Sequence, residues 1–256
     1  MWPAVPRWLS VDKQEFDGQC WRMDEPFVDS SCPYCSQPLS FPRSFIGTLQ
    51  ECPNCPEVLI VAEEGAEVGR KLPIPIQTSR LVLRPLRGAD AEDLVEIMPD
   101  EASVQYTASG ALDVEQAQDW IERAARVLIT QPGGILSLAA ELPEANRVIG
   151  LMSIFFLDEA RKQIGFTLII APGNRKQGFG SEATGGVLKF AFEGLNLHRV
   201  TAECDSRNAA ARRLLEKAGL RREGESVQSR FQKGEWINET RYAALLTDAL
   251  QVSNRS

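Results

Sequence analysis

The chain has 256 residues, 43% of them hydrophobic and 25% charged, and carries a net charge of -7 at pH 7. That length accommodates one large domain, or a large and a small one, with enough apolar side chains for a full core. The acidic balance argues against broad binding to nucleic-acid backbones, which takes a basic face, and no apolar run reaches the roughly 18 residues that cross a membrane.

In chain order, the opening Met1-Trp2-Pro3-Ala4-Val5-Pro6 lacks a basic stretch followed by an apolar one. A secretory signal is therefore not expected, and a reducing, cytoplasmic location is. Residues 1–62 are rich in proline, cysteine and aromatics. Within them stand Cys32-Pro33-Tyr34-Cys35 and, sixteen residues on, Cys52-Pro53-Asn54-Cys55. Two C-x-x-C pairs at this spacing form a metal-ligand pattern. A tetrahedral zinc ion takes four thiolates at about 2.3 Å, and the metal itself lowers the thiol pKa values. Two disulfides, or an iron ion in the same four-sulfur site, are the alternatives this spacing allows.

So small a segment buries too little apolar surface to fold alone, and a structural metal compensates. A four-sulfur site is closed to substrate, so the expected zinc ribbon reads as a docking module for a protein partner or a second subunit. Ser36 and Pro56 stand where glycine is frequent in such knuckles. Residues 40–50 and 57–61 read as short strands. Cys20 is a fifth cysteine without an assigned role, and Trp2, Trp8 and Trp21 read as packing residues. Residues 63–77 carry acidic residues, glycines, Pro73 and Pro75 and read as a linker between the ribbon segment and a second domain spanning 78–250.

From Thr78 onward the pattern becomes regular. Leu81–Leu86 alternates as a strand, and residues 90–98 read as a short helix. Asp113 with Gln116 forms a capping box for a longer helix, whose Ala117, Trp120, Ile121, Ala124 and Leu128 share one face. Strands are expected at 135–142, 148–157 and 163–170. A helix follows at 181–193, a strand at 200–204, and a helix at 208–218 with Asn208 as N-cap and Gly219 just past its end. Two strands at 222–232 and 239–246 close the domain.

Between the strand ending at Ile170 and the helix opening at Ser181 lies Arg175-Lys176-Gln177-Gly178-Phe179-Gly180. Glycines here let the backbone curl around an anion, and the amides of the loop and first helical turn then face it, aided by the helix dipole. Arg175 and Lys176 add charge at the rim. On its own, a glycine pair after a strand is equally a plain strand-to-helix turn.

The pattern Arg/Gln-x-x-Gly-x-Gly/Ala after a fourth strand resembles the acetyl-CoA loop of the GNAT superfamily of N-acetyltransferases. The element order resembles that α+β fold, a mixed and mostly antiparallel sheet flanked by helices. Residues 78–86, Thr-Ser-Arg-Leu-Val-Leu-Arg-Pro-Leu, are similar to the opening strand of its Rim-type branch, which includes the ribosomal-protein N-terminal acetyltransferases. Ser181-Glu182-Ala183, Leu197-His198-Arg199-Val200, Asn208 with Ala211, Glu216-Lys217, Gly219-Leu220, Glu223-Gly224, Lys233-Gly234-Glu235-Trp236 and Tyr242-Ala243 carry the same resemblance. It covers about residues 78–250 and leaves the cysteine-rich segment outside.

The resemblance implies acetyl-CoA as co-substrate and a primary amine as acceptor, either a protein N-terminus, as in ribosomal proteins, or a small amine. It implies that backbone groups of Leu168, Ile169 and Ile170 meet the pantetheine arm, that Gln177, Gly178, Phe179, Gly180 and Ser181 hold the diphosphate, and that Asn208 lies near the arm. Asn208 as a helix cap alone is the other reading, and the two roles can coexist.

Transfer to nitrogen needs a neutral amine, hence a proton acceptor, and a backbone N–H suits the oxyanion. Many relatives carry glutamate where this chain has Thr167, and serine or tyrosine where it has Ala211 and Leu215. Glu203 is the remaining carboxylate expected near the acetyl group; a solvated strand residue is its plainer role. Tyr106 is a candidate for the acceptor cleft or for packing. His198, the single histidine, reads as structural because it precedes the fifth strand at the end remote from Asn208, and Cys204 reads as a small core residue, since direct attack by the amine needs no covalent enzyme intermediate. The missing proton-transfer residues also motivate a rival reading, a catalytically silent CoA-binding scaffold.

Overall fold

The computed structural model describes residues 26–32, 36–43, 49–52, 54, 58–61, 74–126, 134–157 and 162–247. Two short antiparallel hairpins come first. β1 (Phe27–Ser31) pairs with β2 (Pro38–Pro42), and β3 (Leu49–Glu51) with β4 (Val58–Ile60). The stretch 40–50, read as short strands, holds the end of β2 and the start of β3, and residues 44–48 lie outside the described residues. Alternation explains β2, where Leu39 and Phe41 are buried and Ser40 is exposed.

An eight-stranded sheet forms the main body, in the order β11-β12-β10-β9-β8-β7-β6-β5. Its strands are β5 (Ile76–Gln77), β6 (Val82–Pro85), β7 (Ile135–Leu142), β8 (Arg147–Phe156), β9 (Gln163–Ile170), β10 (Arg199–Asp205), β11 (Arg221–Gln232) and β12 (Glu235–Leu245). All neighbours are antiparallel except β9 and β10. The sheet begins at Ile76, earlier than the alternation at Leu81 indicates, with Ile74 and Ile76 buried.

Among the described residues four α-helices, α1 (Ala91–Ile97), α2 (Val114–Arg126), α3 (Phe179–Lys189) and α4 (Ala209–Lys217), cover two faces of the sheet. Strand alternation supplies both. Leu138, Met152, Ile164 and Phe166 pack with Ala183, Val187 and Leu215 of α3 and α4. Their neighbours Ala139 and Leu151 pack with Leu94, Ile97, Ala117 and Ile121 of α1 and α2. Each fully buried Leu or Ile contributes about 1.5–3 kcal/mol of transfer free energy.

Local signals fix the helix ends. The capping box closes as expected: Gln116 N–H donates to Asp113 Oδ1 at 2.8 Å and Asp113 N–H to Gln116 Oε1 at 3.0 Å. α3 starts at Phe179, earlier than expected, because Gly178 takes the left-handed φ of 88° and ends the loop there. Arg84 ties α1 to the sheet. It is 9% exposed and donates to both oxygens of Asp90 at 2.8 and 2.9 Å, and also to Glu141. Asp90 further accepts the Arg87 N–H at 2.7 Å. No helix among the described residues is long and apolar enough to cross a membrane.

Candidate active site

β9 and β10 pair only at their starts, Gln163 with Arg199, Ile164 with Val200 and Gly165 with Thr201. Beyond Thr201 the strands separate into a fork. Backbone groups alternate sides along a strand, and three contacts set the phase on β9. Ala171 N–H donates to Ile149 on the β8 side. The Ile164 carbonyl accepts from Thr201 Oγ1 and the Ile170 carbonyl from Arg175 Nε, both on the fork side. The free edge therefore carries the polar groups of Phe166, Leu168 and Ile170. Ile169, expected on that edge, points its polar backbone at β8. Phe166 belongs there instead, and strand phase could not be read without the register.

At the open end of the fork lies the glycine loop. The first helical bond of α3 runs from Glu182 N–H to the Gly178 carbonyl, so the amides of Phe179, Gly180 and Ser181 have no carbonyl in the helix to bond. Gly180 also permits close helix contact, since a Cβ there would lie 2.5 Å from Leu214 Cδ1. Arg175 does not sit at the rim with its charge free. Its guanidinium donates to the carbonyls of Ile170 at 2.9 Å and Ser103 at 3.1 Å. The Gln177 side chain is turned to the Gly173 carbonyl at 3.0 Å. Asn208 caps α4, its Oδ1 accepting from Ala211 N–H at 3.0 Å. That leaves its amide NH2 group as a donor.

Arg80 and Glu182 support this loop across 102 positions of sequence. Glu182 accepts from Thr78 Oγ1 at 2.7 Å, Arg80 N–H at 2.6 Å and Arg80 Nε at 2.8 Å. Arg80 then lies 4.2 Å over the Phe179 ring and donates to the Gln177 carbonyl at 3.2 Å. Burial raises the Glu182 carboxyl pKa, but the bonds from Thr78 and Arg80 outweigh it and hold the group below the ordinary glutamate value. A depressed folded pKa stabilises above the unfolded value and loses that contribution as the pH falls. Glu182→Gln is therefore expected to cost about 1–2 kcal/mol near neutrality. In thermal melts its deficit against the unaltered chain should close as the medium is acidified below the ordinary glutamate pKa.

On the α1/α2 face, Thr167 and Glu203 stand exposed on the two arms of the fork. Thr167 shares this face with Ile169, which packs against the α1/α2 cluster. Glu203 shares it with Thr201, the partner of Gly165. Glu203 has Arg230 at 3.8 Å. Residues 98–113 wall this side and are held from two directions. Arg175 reaches the Ser103 carbonyl, while Lys233 at the β11–β12 turn donates to Glu101 at 2.8 Å and the Val104 carbonyl at 3.0 Å. Tyr106 lies within this held segment. Below the fork a pocket of about 420 Å³ is lined by Gln163, Arg199, Thr201, Glu203, Glu223 and Arg241, among others.

Residues 80–221 match the family described as Acetyltransferase (GNAT) domain. The chain belongs to the GNAT acetyltransferase family. The Bacillus subtilis strain 168 protein named Uncharacterized N-acetyltransferase YnaD is 26% identical over 171 residues, 66% of this chain and 96% of the relative. The spermidine N(1)-acetyltransferase of Vibrio cholerae is 29% identical over 111 residues, 43% of this chain and 62% of that protein. Among solved structures, an acetyltransferase of the GNAT family from Bacillus anthracis superposes with a TM-score of 0.61 at 24% identity, covering 67% of this chain and 98% of that one. It shares the fold.

This GNAT protein is thus an acetyl-CoA-dependent N-acetyltransferase, and its remaining sequence candidates sort by environment. Cys204 packs beside the α3/α4 core, and burial pushes its thiol up to about 11, which suits a core residue. His198 pairs its backbone with the Lys162 carbonyl and Leu246 N–H, at the closed end of the fork. Leu215 is buried in the core and offers no exchangeable proton. Of the cysteine set, Cys32 and Cys52 are buried, and Cys35 and Cys55 lie outside the described residues. Among the described residues no group of three or more potential ligands converges on a metal site.

Proposed function

We propose that this acetyltransferase modifies a primary amine, a protein N-terminus before a small amine, and that Glu203 accepts the amine proton. The observation that carries the proposal is the exposed carboxylate on the β10 arm of the fork, across from Thr167. The pantetheine arm would lie along the fork edge of Phe166 and Leu168. The diphosphate would rest on the amides of Gly178 to Ser181, and the Asn208 amide would donate to the arm. Acetyl-CoA supplies the thioester carbonyl; this chain's part is to bind and orient it, present an N–H to the oxyanion, and take a proton from the attacking nitrogen. The Rim-type motif set supports a protein acceptor.

Glu203→Gln tests the role. General-base catalysis contributes roughly 10²–10⁴-fold, so kcat/KM is expected to fall about a hundredfold with acetyl-CoA affinity kept. An unaltered kcat/KM in the variant would remove Glu203 from the mechanism.

For the N-terminal segment the proposal is a structural zinc held by Cys32, Cys35, Cys52 and Cys55, with the ribbon docking a protein partner. Two observations support it. Each C-x-x-C lies between the strands of its own hairpin, β1–β2 and β3–β4. Asn54 N–H donates to Cys52 Sγ at 3.4 Å, a contact that favours the thiolate a metal binds.

A further inference from the structure

The pocket below the fork bears on which amines the enzyme accepts, an inference that rests on the acetyl-transfer reading above. Its charged lining holds two glutamates, Glu203 and Glu223, and two arginines, Arg199 and Arg241. Glu223 is spent on Arg199, bonded at 2.9 Å through one oxygen and more closely through the other. Glu203 has Arg230 nearby, and Arg230 is itself bonded to Glu239 at 2.8 Å. Arg241 makes no side-chain ion pair or hydrogen bond among the described residues, although its backbone pairs directly opposite Glu203. Cross-strand partners of this kind have Cβ atoms about 4.5–5.5 Å apart on one face. A carboxylate and an uncommitted guanidinium thus stand side by side where the acceptor must approach.

A polyamine carries several ammonium groups and needs an excess of carboxylates. This pocket offers as many cations as anions, and beside Glu203 it holds a guanidinium, that of Arg241, with no side-chain ion pair among the described residues. We propose that the acceptor is a primary amine with a carboxylate one residue's length away, its nitrogen beside Glu203 and its carboxylate on Arg241. A chain N-terminus followed by an acidic residue has that chemistry; a free amino acid, whose carboxylate sits on the amine's own carbon, does not.

The test measures thiol release from acetyl-CoA by the full chain. The probes are the amidated peptides Ser-Asp-Ala-Ala, Ser-Ala-Ala-Ala and Ser-Lys-Ala-Ala, with free L-serine and spermidine. An uncompensated charge contact is worth about tenfold or more in kcat/KM. Ser-Asp is therefore expected to exceed Ser-Ala by about tenfold, and Ser-Lys and spermidine by more. Free L-serine, with its carboxylate on the amine's own carbon, is expected to react no faster than Ser-Ala-Ala-Ala, and a faster reaction would overturn the proposed spacing. Arg241→Met should bring the Asp-to-Ala ratio close to one, and Arg241→Glu should turn the preference toward Ser-Lys, with acetyl-CoA calorimetry confirming that each variant is folded. A preference for spermidine or Ser-Lys in the unaltered chain, or a ratio that Arg241→Met does not move, overturns the proposal while the transferase stands. Acetyl-CoA binding without turnover of any probe removes the transfer reading, and this inference with it.

Discussion

Aspartate in place of Ser181 is expected to weaken acetyl-CoA binding by about two to three orders of magnitude while leaving the melting temperature unchanged or slightly raised. Ser181 lies in the first turn of α3, which begins at Phe179. A carboxylate there satisfies helix-end amides and complements the dipole, worth about 0.3–1 kcal/mol to the fold. The same carboxylate occupies the amides proposed for the diphosphate and repels it. At an effective dielectric near 20, two unit charges about 5 Å apart repel by roughly 3 kcal/mol, and the diphosphate carries more than one. Stability and affinity thus move in opposite directions, which misfolding cannot imitate. Calorimetry with acetyl-CoA decides it: a dissociation constant within about threefold of the unaltered chain would place the nucleotide elsewhere.

The largest effect is expected from the cysteines. The chain should purify with one zinc, and Cys52→Ser should lose it almost completely. A structural zinc contributes apparent binding free energies of about 10–16 kcal/mol at neutral pH, more than hairpins of three to five residues per strand supply by themselves. Chelation should therefore open residues 26–61 to proteolysis. The sheet, which has its own core of residues from Ile74 to Ala244, should continue to bind acetyl-CoA. Elemental analysis gives the stoichiometry and the metal, separating zinc from iron. A metal-free chain that resists proteolysis as well as the zinc-treated one would return the four sulfurs to another role.

Much of the fold was legible because its signals are short-ranged. The Asp113–Gln116 box and the Asn208 cap each act over three residues, and both close as the sequence indicates. The glycine loop was legible for the same reason, since a left-handed turn before a helix selects glycine at Gly178. The short β5 was not, because Ile76 and Gln77 are strand only through pairing with Leu83 and Val82. Arg175 shows the limit inside the site. Its charge suggested an anion, yet two carbonyls, one from β9 and one from the α1–α2 segment, occupy its guanidinium.

What the sequence determined by itself was most of the element order, the helix caps, the glycine turn before α3 and the spacing of the cysteines. Each is written in a few consecutive residues through backbone preference and period. Only the tertiary structure decided which edge of β9 faces the fork, that Arg80 meets Glu182, that Lys233 holds Glu101, and that Arg241 stands uncommitted beside Glu203. Those meetings join residues from 38 to 132 positions apart. They follow from strand order and register, which arise when the whole sheet assembles and have no local period to announce them.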